Sequence, residues 1–332
     1  MPIPSAGVRV LSADDVRRAL PMAEAIEVMR TAFSQLSSGD VRMPVRSHID
    51  VPEHDGTALF MPSYAPCFGT IGMKVVNVFA ANADRGLPRI QALVCLFDGM
   101  AGTPRAILNG TSLTALRTGA ASGVATDILA RSNASTVAIL GAGVQGRTQL
   151  EAMFVVRPIR TVKVYDPLPE AAHAFASEMS TYLGTSIEVA TNSREAVAGA
   201  DVVCAATVSS TPVFADADIA PGTHINAIGS YKPDVQEIPA ETVCRAQIVV
   251  DHWESALAEA GDLIIPLQQG LITKADIHAE LGEILNGKAV GRTSDDAVTL
   301  FKSVGVAVQD LAAASRAFAR AEAERLGTVV PF

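Results

Sequence analysis

The chain changes its hydrophobic rhythm twice. Near the start, Ser12-Ala13-Asp14-Asp15 has the form of a capping box, and Pro21 suits the first turn of a second helix. In that helix Ile26, Met29, Phe33 and Leu36 fall on one face, and Gly39 can end it. From about residue 45 the pattern becomes strand-like. Runs at 45–50, 57–61, 72–79, 90–97 and 105–108 are broken by Pro, Gly and Asp clusters, which predicts an antiparallel or mixed sheet. Residues 111–130 form an Ala-rich helix. From Ser135 onward strands (136–140, 161–165, 186–189, 202–205, 224–228 and 247–250) alternate with helical segments such as 145–156, 169–183 and 194–198. Such alternation predicts βαβ units and a parallel sheet. A last helix at about 306–326 lies beyond the sixth of these strands, placed to return to the N-terminal part. No internal repeat or low-complexity tract interrupts the pattern.

The second change of rhythm coincides with a motif. The apolar run Ser135-Thr136-Val137-Ala138-Ile139-Leu140 leads into Gly141-Ala142-Gly143-Val144-Gln145-Gly146, and a helix-compatible segment follows. About twenty residues later Val162-Lys163-Val164-Tyr165 ends in Asp166. Strand, glycine turn, helix and distant acid together are the fingerprint of a dinucleotide site. Gly141 permits the tight turn, Gly143 lets backbone approach a pyrophosphate, and Gly146 lets the helix pack on the strand. Val144 and Gln145 open that helix, whose N-terminus favours an anion. Asp166 favours NAD(H), because a carboxylate accepts from ribose hydroxyls and repels a 2′-phosphate; NADP(H) stays possible.

Composition narrows the class further. A chain of 332 residues, 49% hydrophobic and 18% charged, is expected to be globular and in two domains. No window approaches the ~20 apolar residues of a membrane span. Residues 1–11 lack the features of a secretory leader. A net charge of −9 argues against nucleic acid or an anionic membrane as partner. Cys67, Cys95, Cys204 and Cys244 show no metal spacing, so no metal is expected and a reducing, cytoplasmic setting is the default. Cys95 and Cys204 sit in apolar runs and read as buried thiols.

A sparse set of cations lies in apolar surroundings. Lys74, in Ile71-Gly72-Met73-Lys74-Val75-Val76, must face solvent, pair with an anion, or occupy a site where its pKa suits proton transfer. Arg117 stands on a nearly uncharged helix and either binds a carboxylate or makes an internal salt bridge. Arg46 is a similar case, and Arg42 reads as a solvated loop residue. Among the histidines, His224 reads as structural, while His48 alternates in a strand near Arg46.

These segments resemble the ornithine cyclodeaminase and mu-crystallin family of NAD(P)-binding proteins. The matching stretches are Arg46, Met61-Pro62-Ser63-Tyr64, Gly72-Met73-Lys74, Leu113-Thr114-Ala115-Leu116-Arg117-Thr118, the glycine turn, His224-Ile225-Asn226-Ala227-Ile228-Gly229, Glu259-Ala260-Gly261-Asp262 and Leu300-Phe301-Lys302-Ser303-Val304-Gly305. The resemblance implies an α/β chain: a Rossmann doubly wound parallel sheet (119–310) inserted into an α+β substrate-binding and dimerisation domain (1–118 with 311–332). It implies that Arg46, Lys74 and Arg117 gather round a substrate carboxylate, that Thr118, Thr207, Asn226 and Ser303 approach the dinucleotide, and that the protein is a homodimer. The position of the cyclodeaminase Asp is taken here by Tyr231, with Asp234 three residues later. That departure resembles the ketimine reductases of the family. It implies NAD(P)H-dependent reduction of a cyclic imine carboxylate to an amino acid such as L-proline or L-pipecolate. The alternatives are an ornithine cyclodeaminase, an alanine-type dehydrogenase, and a mu-crystallin-like ligand-binding protein.

Overall fold

The computed structural model describes residues 7–332; the leader reading of residues 1–11 falls partly outside them. The chain divides into two compact units, Met1–Arg117 with Val306–Phe332, and Thr118–Gly305. The return to the first unit begins at Val306, five residues before the expected 311, because the C-terminal helix Ala307–Glu324 belongs whole to that unit.

The first unit is a seven-stranded mixed sheet with helices on one face. Its strands are β1 (Val8–Leu11), β2 (Ser47–Val51), β3 (Gly56–Ala65), β4 (Thr70–Phe79), β5 (Ile90–Asp98) and β6 (Pro104–Asn109), with the C-terminal strand Thr328–Val330 at the edge. From that edge the order runs β1, β6, β5, β4, β3, β2. β2 to β6 form an antiparallel meander, whereas β1 lies parallel to β6. β1 and the edge strand were absent from the sequence reading: each is three or four residues long and has no strand run around it. Helix α1 (Ala13–Ala19) starts at Ser12, whose hydroxyl and the Asp15 carboxylate form the expected capping box. In α2 (Met22–Ser37) Ile26, Met29 and Phe33 are buried. The C-terminal helix packs on α2, β3 and β4. Alternation along β4 therefore sends Gly72, Lys74 and Val76 under the helices and leaves Ile71, Met73 and Val75 on the outer face. Cys95 also lies on that outer face and is only half-buried, unlike the fully buried Cys204; strand parity overrides the apolar run around it.

Helix α3 (Gly110–Leu129) carries Arg117 as the last residue of the first unit and Thr118 as the first of the second. The second unit is an eight-stranded, wholly parallel sheet: β7 (Thr136–Leu140), β8 (Thr161–Tyr165), β9 (Glu188–Val189), β10 (Val202–Ala205), β11 (His224–Ala227), β12 (Gln247–Val250), β13 (Ile277–Glu280) and β14 (Thr299–Lys302). Its order, β9-β8-β7-β10-β11-β14-β12-β13, is doubly wound about β7. β14 separates β11 from β12, so residues 247–250, the sixth strand of this unit in chain order, lie seventh in the sheet counted from β9. Crossover helices α4 (Val144–Val156) and α5 (Pro169–Leu183) follow β7 and β8. Four of the five residues of β7, Val137 to Leu140, are buried, as a strand covered on both faces requires.

Candidate active site

In the first unit, charged groups converge inside an apolar layer. Lys74 stands opposite Met61 of β3 and Val94 of β5. Gly72 beside it has no side chain because the C-terminal helix passes close: a Cβ there would meet Leu311 Cδ1 at 3.0 Å. That approach brings the helix's first turn over Lys74. Lys74 Nζ lies 2.7 Å from Asp310 Oδ2. Arg117 Nε donates to Asp310 Oδ1 at 3.1 Å, and Arg117 Nη1 donates to Gln309 Oε1 at 2.7 Å. Gln309 Oε1 also accepts from the Val306 backbone N–H at 3.1 Å, which ties the clamp to the start of the helix. An anion at Asp310 is further favoured by the helix N-terminus.

The side chains of Lys74 and Asp310 are each 2% exposed and that of Arg117 7%. Burial pushes the Lys74 ammonium down to about 8; Asp310 opposes the fall, while Arg117 and Arg46 add to it. Two buried cations thus share one carboxylate, and the excess positive charge suits a small carboxylate ligand. Of the readings left open by sequence, solvation of Lys74 is excluded, and Arg117 makes an internal salt bridge through Nε that leaves Nη2 outside the pair. Arg46 is half-buried and acts on Lys74 through its charge. His48 is exposed on edge strand β2, 3.9 Å from Asp50, and Arg42 is exposed with its guanidinium 5.9 Å from the Tyr64 ring centre.

In the second unit, the glycine turn joins β7 to α4. Gly141 has φ +98°, a conformation that side chains resist, and a Cβ on Gly146 would collide with the Gly141 carbonyl oxygen. Gly143 differs: a Cβ there meets nothing within 4 Å. It is the N-cap of α4, and no side chain caps the helix. Space and unsatisfied N–H groups therefore coincide where a pyrophosphate would sit. Asp166 Oδ2 accepts from the Ala142 N–H at 2.8 Å and Oδ1 from the Leu168 N–H at 3.0 Å. Arg147 Nη1 donates to the Ala142 carbonyl at 2.5 Å. Asp166 and Arg147 thus hold opposite ends of one residue in the turn. Val144 is exposed, and Gln145 Oε1 is buried without a hydrogen-bond partner among the described residues. These residues fit a dinucleotide.

The remaining expected cofactor residues are embedded in polar networks. The Thr118 carbonyl accepts from Gln149 Nε2 at 3.3 Å. Thr207, after β10, donates its hydroxyl to Glu237 Oε1 and accepts from the Ser209 N–H at 3.2 Å. Asn226 is fully buried in β11, its amide donating to Thr126 Oγ1 at 2.9 Å and its oxygen 3.2 Å from His224 Nε2. Ser303, after β14, donates to Asp251 Oδ2 at 2.7 Å, and the Val304 and Gly305 N–H groups share that oxygen. Tyr231 is half-buried against the core of this unit, and Asp234 is exposed. His224 is structural: its Nδ1 lies 2.9 Å from Thr299 Oγ1, and burial pushes its pKa down to about 3.

Sequence reasoning missed a second set of charges. Lys302 and Asp262 form a fully buried pair at 2.7 Å; Lys302 also donates to the Ser230 carbonyl at 2.6 Å. Asp262 Oδ1 accepts from the Glu237 and Ile238 N–H groups at 2.7 and 2.9 Å. Burial raises Glu237 to about 7 against the opposing pull of Thr207. These groups fasten the segments that follow β10 and β11 to the end of β14. Asp310 was missed as well, although it is the single charged residue between Val306 and Ser315.

A doubly wound unit with this turn and acid, in a chain whose other unit holds a buried cation cluster, defines a dinucleotide-linked oxidoreductase. The model of the ornithine cyclodeaminase/mu-crystallin family matches residues 8–325, and the chain belongs to that family. It is 41% identical over 324 residues to a Δ1-pyrroline-2-carboxylate reductase of Bacillus cereus, covering 97% of this chain and 99% of that one. Among solved structures it is similar to the Δ1-pyrroline-2-carboxylate reductase of Thermococcus litoralis in complex with NADH and L-proline. The TM-score is 0.94 and the identity 42%, over 97% of this chain and 100% of that one. An archaeal alanine dehydrogenase dimer with bound NAD has TM-score 0.92 and 36% identity, over 98% and 99% of the two chains.

Proposed function

We propose that this protein is an NADH-dependent ketimine reductase that converts Δ1-pyrroline-2-carboxylate or Δ1-piperideine-2-carboxylate to L-proline or L-pipecolate. The observation that carries the reading is a lysine held inside the protein beside an arginine, in a chain that matches, end to end, a reductase solved with NADH and L-proline. A nicotinamide dinucleotide held by Gly141, Gly143, Gly146 and Asp166 supplies the hydride. Arg117 and Arg46 bind the substrate carboxylate. Lys74 donates the proton that the imine nitrogen takes up as the C=N bond is reduced; a pKa of about 8 keeps it mostly charged at neutral pH yet able to give the proton up. Orientation of the imine carbon supplies much of the acceleration. Thr118, Thr207, Asn226 and Ser303 act on the cofactor side, Asn226 by bracing β11 from within. Tyr231 occupies the position of the cyclodeaminase Asp. Its presence in place of an Asp favours simple imine reduction over cyclodeamination, which needs a base to manage two amines.

The test is direct. Purified protein with NADH and either imine should consume NADH and release the L-amino acid; no NADH oxidation with either ring size ends the proposal. Likeness to the alanine dehydrogenase favours a second reading, NAD-dependent oxidation of a simple amino acid, which would show as net NADH formation from L-alanine and NAD. The homodimer is supported by that dimeric relative and by the outer face of the first unit's sheet, where Ile71, Leu93 and Ile107 are 38%, 42% and 38% exposed. Light scattering at the mass of one chain would refute it. The four cysteines are free thiols, which supports a reducing, cytoplasmic setting.

A further inference from the structure

We infer that Asp310 is the positioning residue that keeps Lys74 in its proton-carrying form and commits it to proton donation, leaving the arginines to bind the substrate carboxylate. The inference rests on the reductase reading for its consequence, but its geometry stands apart from it.

Among the described residues Lys74 has one carboxylate within reach, at 2.7 Å, and both partners are almost wholly removed from water. The charged groups acting on it come from three other segments: Asp310 on the C-terminal helix, Arg117 on α3, and Arg46 ahead of β2. Two of the three are cations, and burial itself disfavours the ammonium. Asp310 is the one group there that opposes all of these. Its other oxygen is held by Arg117 Nε, and Gln309 holds Arg117 Nη1 from the same helical turn. The carboxylate is therefore held from both sides, by Lys74 on one oxygen and Arg117 on the other. A lysine already matched to an internal anion has less pull on a second one. Its remaining capacity is to lose a proton: the Nζ–H bond breaks, an N–H bond forms on the imine nitrogen, and the hydride from reduced nicotinamide completes the C–H bond. The neutral amine left beside Asp310 then recovers its proton from solvent.

The Lys74 Nζ chemical shift, followed by nitrogen NMR across pH, measures the protonation of this buried amine without any turnover. In the wild type its midpoint should lie near 8, the value set by burial against Asp310. In Asp310→Asn it should fall by at least ~1 unit, and Asp310→Glu should restore most of it. A fall from about 8 to about 6.5 lowers the charged fraction at pH 7.5 roughly eightfold, and the high-pH limb of kcat/KM for the imine should move down by the same interval. NADH affinity should be unchanged. A midpoint in Asp310→Asn within about 0.3 unit of the wild type overturns the inference. If that variant does not fold, a wild-type midpoint below ~6.5 overturns it equally, because Lys74 would then be mostly neutral at pH ~7.5 despite Asp310. Absence of imine reduction in the wild type defeats the reductase reading alone, since the titration of Lys74 is independent of it.

Discussion

Glu237 offers a sharp test of how the second unit is held together. Its carboxyl is buried, it accepts from the Thr207 hydroxyl, and burial raises its pKa from 4.5 to about 7. The charged groups facing it are Lys302 and Asp262, which pull in opposite directions. The folded state therefore holds a proton that the unfolded chain releases near 4.5. Stability from this group is fully present below that pH and is lost as pH rises through 7. A shift of about 2.5 units corresponds to about 3 kcal/mol at full effect. Glu237→Gln keeps the shape and the acceptor for Thr207 but cannot ionise. At pH 5 the variant should match the wild type within about 1 kcal/mol. At pH 8 it should be the more stable by about 2–3 kcal/mol, or roughly 4–12 °C in Tm for a unit of this size. Thermal unfolding of both proteins at pH 5, 6, 7 and 8 measures the difference. A gap that does not change with pH, or a variant that weakens as pH rises, would refute the assignment of a protonated Glu237.

Three further outcomes follow from the same geometry. Gly143→Ala should leave Tm unchanged, because its Cβ meets only open space, yet weaken NADH binding by at least ~10-fold in a fluorescence titration, because that space is where the pyrophosphate approaches; Gly146→Ala should lower Tm instead, since its Cβ collides with the Gly141 carbonyl oxygen. Lys302→Met should cost about 3–5 kcal/mol in a denaturant titration, because it strands Asp262 as a buried charge without its partner; a cost under ~1 kcal/mol would contradict the pairing. His224, pushed down to about 3, should remain neutral at pH 5 in a nitrogen NMR spectrum, so between pH 6.5 and 3 the unfolded chain gains a proton the folded state refuses, a loss on the order of 5 kcal/mol; an imidazolium signal at pH 5 would sink this.

Much of the fold is legible because its long elements repeat one rule many times. Helix α5 was expected at 169–183 and spans Pro169–Leu183, with proline at its start and Gly184 at φ +67° beyond its end. Short strands escape that logic. β14 has four residues, Thr299-Leu300-Phe301-Lys302, all buried, and a fully buried lysine makes such a run look like a loop. β13, Ile277-His278-Ala279-Glu280, ends in a buried glutamate and hides for the same reason. Both become strands because they pair in the parallel sheet and because distant groups, Asp262 for Lys302 and the Trp253 N–H for Glu280, partner their charges, and neither condition is written within a few residues of the strand.

The same division runs through the site. Lys74 and Arg117 stand out in sequence because a cation among apolar residues is anomalous wherever it falls. Their partner does not: Asp310 in the first turn of a helix is an ordinary acid at a favourable end, and nothing local says that it faces two cations 193 residues or more away. An unpaired buried charge costs several kcal/mol, so each anomalous cation required an anion somewhere in the chain. The requirement was predictable and its address was not. Burial makes the cations conspicuous, and by the same energetics it makes their distant carboxylates indispensable. The acids that answer them, Asp310 for Lys74 and Arg117, and Asp262 for Lys302, are therefore where substitutions should separate loss of activity from loss of structure.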